Sequence, residues 1–88
     1  MEVAFLRKFS KDIESISQPA IKQRILDLIE EVNQATTLQD LPNVKALSGF
    51  SDAYRIRVGN YRVAIFLEEN TVVFARVAHR SKIYRLFP

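Results

Sequence analysis

The chain predicts an α+β domain: an N-terminal strand, then two helices packed on one face of a small antiparallel sheet that ends in a three-stranded meander. Three observations carry that expectation. Apolar residues recur at helical spacing over residues 8–35, and the pattern changes to strand-like alternation from Ala53 onward. The loops between the later segments are short, which antiparallel neighbours allow and parallel ones do not. Eighty-eight residues form one domain, 1–88, near the low end of what a single apolar core stabilises.

Glu2 to Leu6 is compatible with a short first strand. Phe9, Ile13 and Ile16 recur at helical spacing, so Lys8 to Ile16 reads as a short amphipathic helix. Ser17-Gln18-Pro19 punctuates the chain, with Ser17 a candidate N-cap and Pro19 in the first turn of the next helix. From Ala20 to Ala35, Ile21, Ile25, Leu28, Ile29 and Val32 share one stripe, which reads as core. Lys22, Gln23, Asp27, Glu30 and Glu31 fall largely on the other side. Residues 36–49 form the one extended connection, broken by Pro42 and Gly49. Strands follow at Ala53–Val58, Tyr61–Leu67 and Thr71–Ala78, joined by Gly59-Asn60 and by Glu68-Glu69-Asn70. The tail from Arg80 to Pro88 is basic and aromatic, with little room for an added helix. Two helices on one side leave the other face of the sheet free, and some of the arginines should project there.

The densest chemistry lies at the first hairpin. Tyr54-Arg55-Ile56-Arg57-Val58-Gly59-Asn60-Tyr61-Arg62-Val63 alternates apolar residues with arginines around a Gly-X turn. With Gly59 and Asn60 as a type II′ loop, Val58 faces Tyr61, Arg57 faces Arg62 and Ile56 faces Val63. Like charges directly opposite are unfavourable on a sheet, so Arg57 and Arg62 call for an anion between them. A phosphate, and through it nucleic acid, fits that demand. The charge distribution agrees: residues 1–44 carry a net −2 and residues 45–88 a net +5, with six of the eight arginines in the second half.

Composition excludes several function classes. The absence of cysteine removes disulfides, thiol catalysis and thiolate metal sites, and a lone histidine leaves zinc without a ligand set. No carboxylate pair, glycine-rich phosphate loop or serine triad is present. No cofactor is expected. No stretch reads as a signal peptide or approaches the ~20 apolar residues that span a bilayer, so a cytoplasmic protein without membrane contact is expected.

The hairpin motif, together with Val77-Ala78-His79-Arg80-Ser81-Lys82-Ile83-Tyr84-Arg85 at this separation, resembles the RelE/ParE toxin superfamily. Leu41-Pro42-Asn43-Val44-Lys45-Ala46-Leu47-Ser48-Gly49 is similar to the connection that precedes the hairpin in many members. The likeness spans essentially the whole chain. It implies the toxin of a type II toxin–antitoxin pair, partnered by a cognate antitoxin that wraps it and often covers the basic face. RelE-like members are ribosome-dependent endoribonucleases that cut messenger RNA without metal. The 2′-OH attacks the adjacent phosphate and leaves a cyclic phosphate and a free 5′-OH. ParE-like members share the fold but inhibit DNA gyrase, and a decayed member surviving as a co-repressor is a third reading.

The catalytic positions of RelE-like enzymes match Arg55, Arg57, Arg62, Arg80 and Tyr84 in this sequence. Arg62 and Arg80 suit the stabilisation of a phosphorane, because a guanidinium forks onto two oxygens and keeps its charge. The structural alternative for Arg62 is a salt bridge to Asp52 or Glu68. Arg55 and Arg57 stand where some such enzymes have lysine. An arginine does not act as a base, so these two would bind backbone and the base is unassigned. His79 could move a proton, or simply bond a strand end. Tyr84 could stack on a base and donate a proton, or pack against the sheet. Lys45, Arg76, Lys82 and Arg85 are candidates for contacts with messenger or ribosomal RNA.

Overall fold

Gly59, with φ of +59°, makes the tight turn that only a residue without a β-carbon adopts readily, and the sheet is built outward from it. The computed structural model describes residues 1–87. The elements are β1 (Glu2–Phe5), α1 (Arg7–Ser15), α2 (Pro19–Gln34), a 3-10 turn (Leu38–Asp40), β2 (Val44–Ala46), β3 (Ala53–Val58), β4 (Tyr61–Glu68), β5 (Thr71–His79) and α3 (Ile83–Leu86). They form one five-stranded sheet in the order β1-β5-β4-β3-β2. Across the turn Val58 pairs with Tyr61, Arg57 with Arg62 and Ile56 with Val63, the register expected from the sequence.

The sheet is mixed rather than wholly antiparallel, because β1 lies parallel to β5, Val3 opposite Val72 and Phe5 opposite Phe74. Parallel neighbours need a long connection, and here both helices and the meander separate the two strands. The connection over 36–49 is also more ordered than expected. Thr37 N–H donates to the Asp40 carboxylate at 3.1 Å to start the 3-10 turn, and Val44–Ala46 pairs along β3 as an edge strand. Ser17 is not the cap of α2. Pro19 occupies the first helical position, which makes Gln18 the flanking residue, and Gln18 spends its side chain on the Tyr61 hydroxyl instead.

The main core lies between the helices and one sheet face. Phe9 from α1, Ile25, Leu28 and Val32 from α2, and Ile56, Val63, Ile65, Val72 and Phe74 from the strands are buried there. Each such side chain contributes about 1.5–3 kcal/mol by leaving water. The opposite face is not wholly free. Ala53, Ala64 and Ala75 form a shallow trough across β3, β4 and β5, and the tail folds into it as α3, burying Ile83 and Phe87. Phe87 packs on Phe66 with the two rings tilted by 53° and their centroids 4.9 Å apart. Small side chains let a helix approach a sheet closely, and that is what the alanines provide.

One irregularity decides which side chains reach which face. Ile65 pairs with Phe74 but Ala64 pairs with Arg76, so Ala75 is an extra residue in β5, a bulge. Before it the even positions Val72 and Phe74 face the helices; after it the odd position Val77 does.

Candidate functional site

Alternation along β3 buries Ile56 and Val58 under the helices and turns Arg55 and Arg57 to the opposite face. Arg62 of β4 stands directly opposite Arg57, and Lys45 of β2 directly opposite Arg55. Two like-charged pairs therefore lie side by side on one face, each unfavourable on its own. Arg62 is half-buried and donates to the carbonyl oxygens of Gly59 at 3.0 Å and Tyr61 at 2.9 Å. It pairs with neither Asp52 nor Glu68: the only ion pair among the described residues is Arg76–Asp12. Burial lowers the Arg62 pKa from its ordinary value, and Arg55 and Arg57 lower it further. Tyr84 opposes the shift and Arg80 adds to it. A bound phosphate would reverse that direction, because an anion favours the charged guanidinium.

Arg57 is steadied by Asn43, whose side-chain oxygen accepts from Nη2 at 3.3 Å and whose carbonyl accepts the Arg57 N–H at 3.2 Å. Asn43 sits at φ +66°, a left-handed conformation that asparagine tolerates better than most residues. Lys45, Arg55, Arg57, Arg62, Asn43 and Val44 line a cavity of about 460 Å³. A second cavity of about 530 Å³ continues from it past Lys45 and Arg55 to Phe50, Tyr84 and Phe87. Tyr84 is exposed, and the Arg55 guanidinium lies 5.8 Å from its ring centroid, a cation–π arrangement. The groove thus runs from a cationic stretch into an aromatic one.

The structure brings together Lys45, Arg55, Arg57, Arg62, Arg80 and Tyr84. It does not bring His79 to them. The bulge at Ala75 turns His79 to the helix-bearing side, where its ring meets Tyr61 edge-on at 5.8 Å, and Tyr61 in turn bonds Gln18. The Ser81 N–H donates to Nδ1 at 3.2 Å, which ties the ring to the turn that follows β5. The same bulge gives Arg80 to the arginine face: Ala78 packs with the alanine trough, and the Arg80 N–H extends the ladder to the Asn60 carbonyl at 2.7 Å. Lys82 shares a separate cavity with His79, Tyr61 and Asp12. Arg76 does not project as a free cation. It forks onto Asp12 of α1 at 2.8 and 3.1 Å, and that bond raises its pKa. Arg85 is exposed on α3.

Phe50 and Phe87 line a cavity that exists only because α3 folds back, which no local pattern in the sequence shows. Asn43 carried a signal, since Pro42-Asn43 is a turn dipeptide.

Residues 3–84 match the family model described as the ParE toxin of the type II toxin–antitoxin system, parDE. The chain is 42% identical to Toxin RelE3 of Methanocaldococcus jannaschii, over the full length of both. It superimposes with a TM-score of 0.83 on a chain of the RelB–RelE antitoxin–toxin complex from Methanococcus jannaschii. That match is at 38% identity and covers 97% of this chain and 99% of that one. A chain of the archaeal RelE–RelB complex from Pyrococcus horikoshii shares the fold at 21% identity and a TM-score of 0.74, over 92% of this chain and 96% of that one. Full-length identity, matching architecture and the hairpin arginines converge, and the chain belongs to the RelE/ParE superfamily, RelE-like toxins of type II toxin–antitoxin systems.

Proposed function

We propose that this toxin is a ribosome-dependent endoribonuclease that cuts messenger RNA, acts in the cytoplasm and is held in check by a cognate antitoxin of the RelB kind. The observation that carries the reading is Arg62: half-buried, faced by Arg57 and without a carboxylate partner. A scissile phosphate between Arg57 and Arg62 would relieve their repulsion and receive a fork from each. As the 2′-oxygen attacks, the O2′–P bond forms and the P–O5′ bond breaks. Arg62 and Arg80 hold the charge that builds on the non-bridging oxygens. Tyr84 gives its hydroxyl proton to the leaving 5′-oxygen and recovers one from water. The flanking base stacks in the aromatic cavity against Tyr84 and Phe50. Four arginines offer no base, and His79 faces the other way, so the 2′-OH proton passes to water or to ribosomal RNA. A site that supplies charge and an acid without a base relies on positioning by the ribosome.

The missing base is also the observation that favours a second reading, ParE-like inhibition of gyrase without catalysis. RNA recovered after induction separates them. Fragments ending in 2′,3′-cyclic phosphate and 5′-OH, lost with Arg62→Ala, support the nuclease. Intact RNA together with blocked supercoiling by the purified protein supports gyrase.

A further inference from the structure

Arg24 of α2 belongs to neither the hairpin nor the basic half of the chain, yet it stands at the hairpin tip. Its Nη1 lies 3.1 Å from the point a β-carbon on Gly59 would occupy, while Arg62 holds the Gly59 carbonyl. The glycine therefore serves twice, once for its positive φ and once for the space that Arg24 fills. Arg24 has Asp27 and Glu31 three and seven residues along its own helix, and all three line one cavity of about 280 Å³. Even so, Arg24 forms no ion pair with either among the described residues; Asp27 takes its hydrogen bond from Gln23 at 2.9 Å. That cavity shares Arg57 and Asn43 with the cationic one, so the groove continues around the hairpin towards α2.

We propose that Arg24 is a further phosphate-binding residue, which takes the RNA backbone as it passes over the Gly59-Asn60 tip from the Arg57–Arg62 pair. The inference rests on the proposed action on RNA. An exposed guanidinium left unpaired beside two carboxylates, next to a cationic groove, is placed for an anion from outside the chain. Asp27 and Glu31 repel a polyanion, so they end the track at Arg24 and keep the strand over the turn rather than along α2.

The test is binding of a fluorescent single-stranded 2′-O-methyl oligoribonucleotide, which lacks the attacking hydroxyl and cannot be cut, across a salt series. One lost phosphate contact flattens the slope of log affinity against log salt by about 0.7 for a single strand. Arg24→Gln should show that loss, Arg24→Lys should keep the wild-type slope, and Arg7→Gln, an equal charge removed from α1, should run parallel to wild type. Unchanged melting curves for the three variants exclude unfolding as the cause. Coincident slopes for Arg24→Gln and wild type overturn the inference, as does equal flattening by Arg7→Gln. A wild-type protein that binds the oligomer but leaves unmodified messenger RNA whole on ribosomes overturns the nuclease reading and leaves Arg24 standing. Absence of wild-type binding overturns the inference and leaves the ribosome-dependent nuclease reading standing, because that reading requires positioning by the ribosome.

Discussion

Replacing Ile83 by alanine should disable the site without dismantling the fold. Ile83 is 2% exposed and lies over Ala53, Ala64 and Ala75, and Phe87, just past the end of α3, is the other buried tail residue in that cluster. A helix of four residues has no stability of its own, so α3 exists because these two side chains dock. The substitution removes three carbons. At ~0.8 kcal/mol per buried methylene that is about 2–3 kcal/mol, before any cavity term. Docking then weakens roughly 30- to 150-fold. Amide exchange reads this directly: the Phe87 N–H, bonded to the Ile83 carbonyl at 3.0 Å, should exchange faster by that factor, while β4 and β5 keep their protection. Global stability falls by no more than the docking free energy, because the main core is untouched. Messenger RNA cleavage should fall to the level of Tyr84→Ala, since Tyr84 loses its place over Arg55. Full cleavage with an undocked tail would show that the position of Tyr84 does not matter. Wild-type protection at Phe87 would show that the trough does not hold the tail.

Three further substitutions separate structure from chemistry. Asp12→Ala strands Arg76 and the Val77 N–H, which the same carboxylate accepts at 3.0 Å, and should cost about 1–3 kcal/mol in urea unfolding with little change in RNA affinity. Equal stability would mean the pair is screened. Arg57→Gln should do the reverse: it relieves the repulsion with Arg62, raising stability at low salt by about 0.2–1 kcal/mol while RNA affinity drops. A gain that persists in high salt would point away from charge. His79→Gln should leave cleavage within about twofold of wild type, because the ring faces Tyr61; a loss of tenfold or more would return histidine to the chemistry.

Much of this fold is legible along the chain because local signals agree with it. Gly59-Asn60 fixes the hairpin register, and with it the confrontation of Arg57 and Arg62, by turn geometry alone. The α2 stripe is equally direct, with Ile25, Leu28 and Val32 all buried. What stays hidden depends on residues that carry no pattern. The bulge at Ala75 adds one residue to a strand of otherwise ordinary composition, and that single insertion exchanges the faces of His79 and Arg80. Three alanines spread over three strands make a docking trough only once the strands are in register. Arg24 looks like part of a solvated helix face until α2 packs beside the hairpin tip.

Primer extension on messenger RNA in a purified translation system, with and without ribosomes, tests the central claim most directly. The account predicts new 5′ ends within codons only when ribosomes and the wild-type protein are both present, with Arg62→Ala silent. A folded, toxic protein that yields no such ends would contradict it and reduce the arginine face to a docking surface.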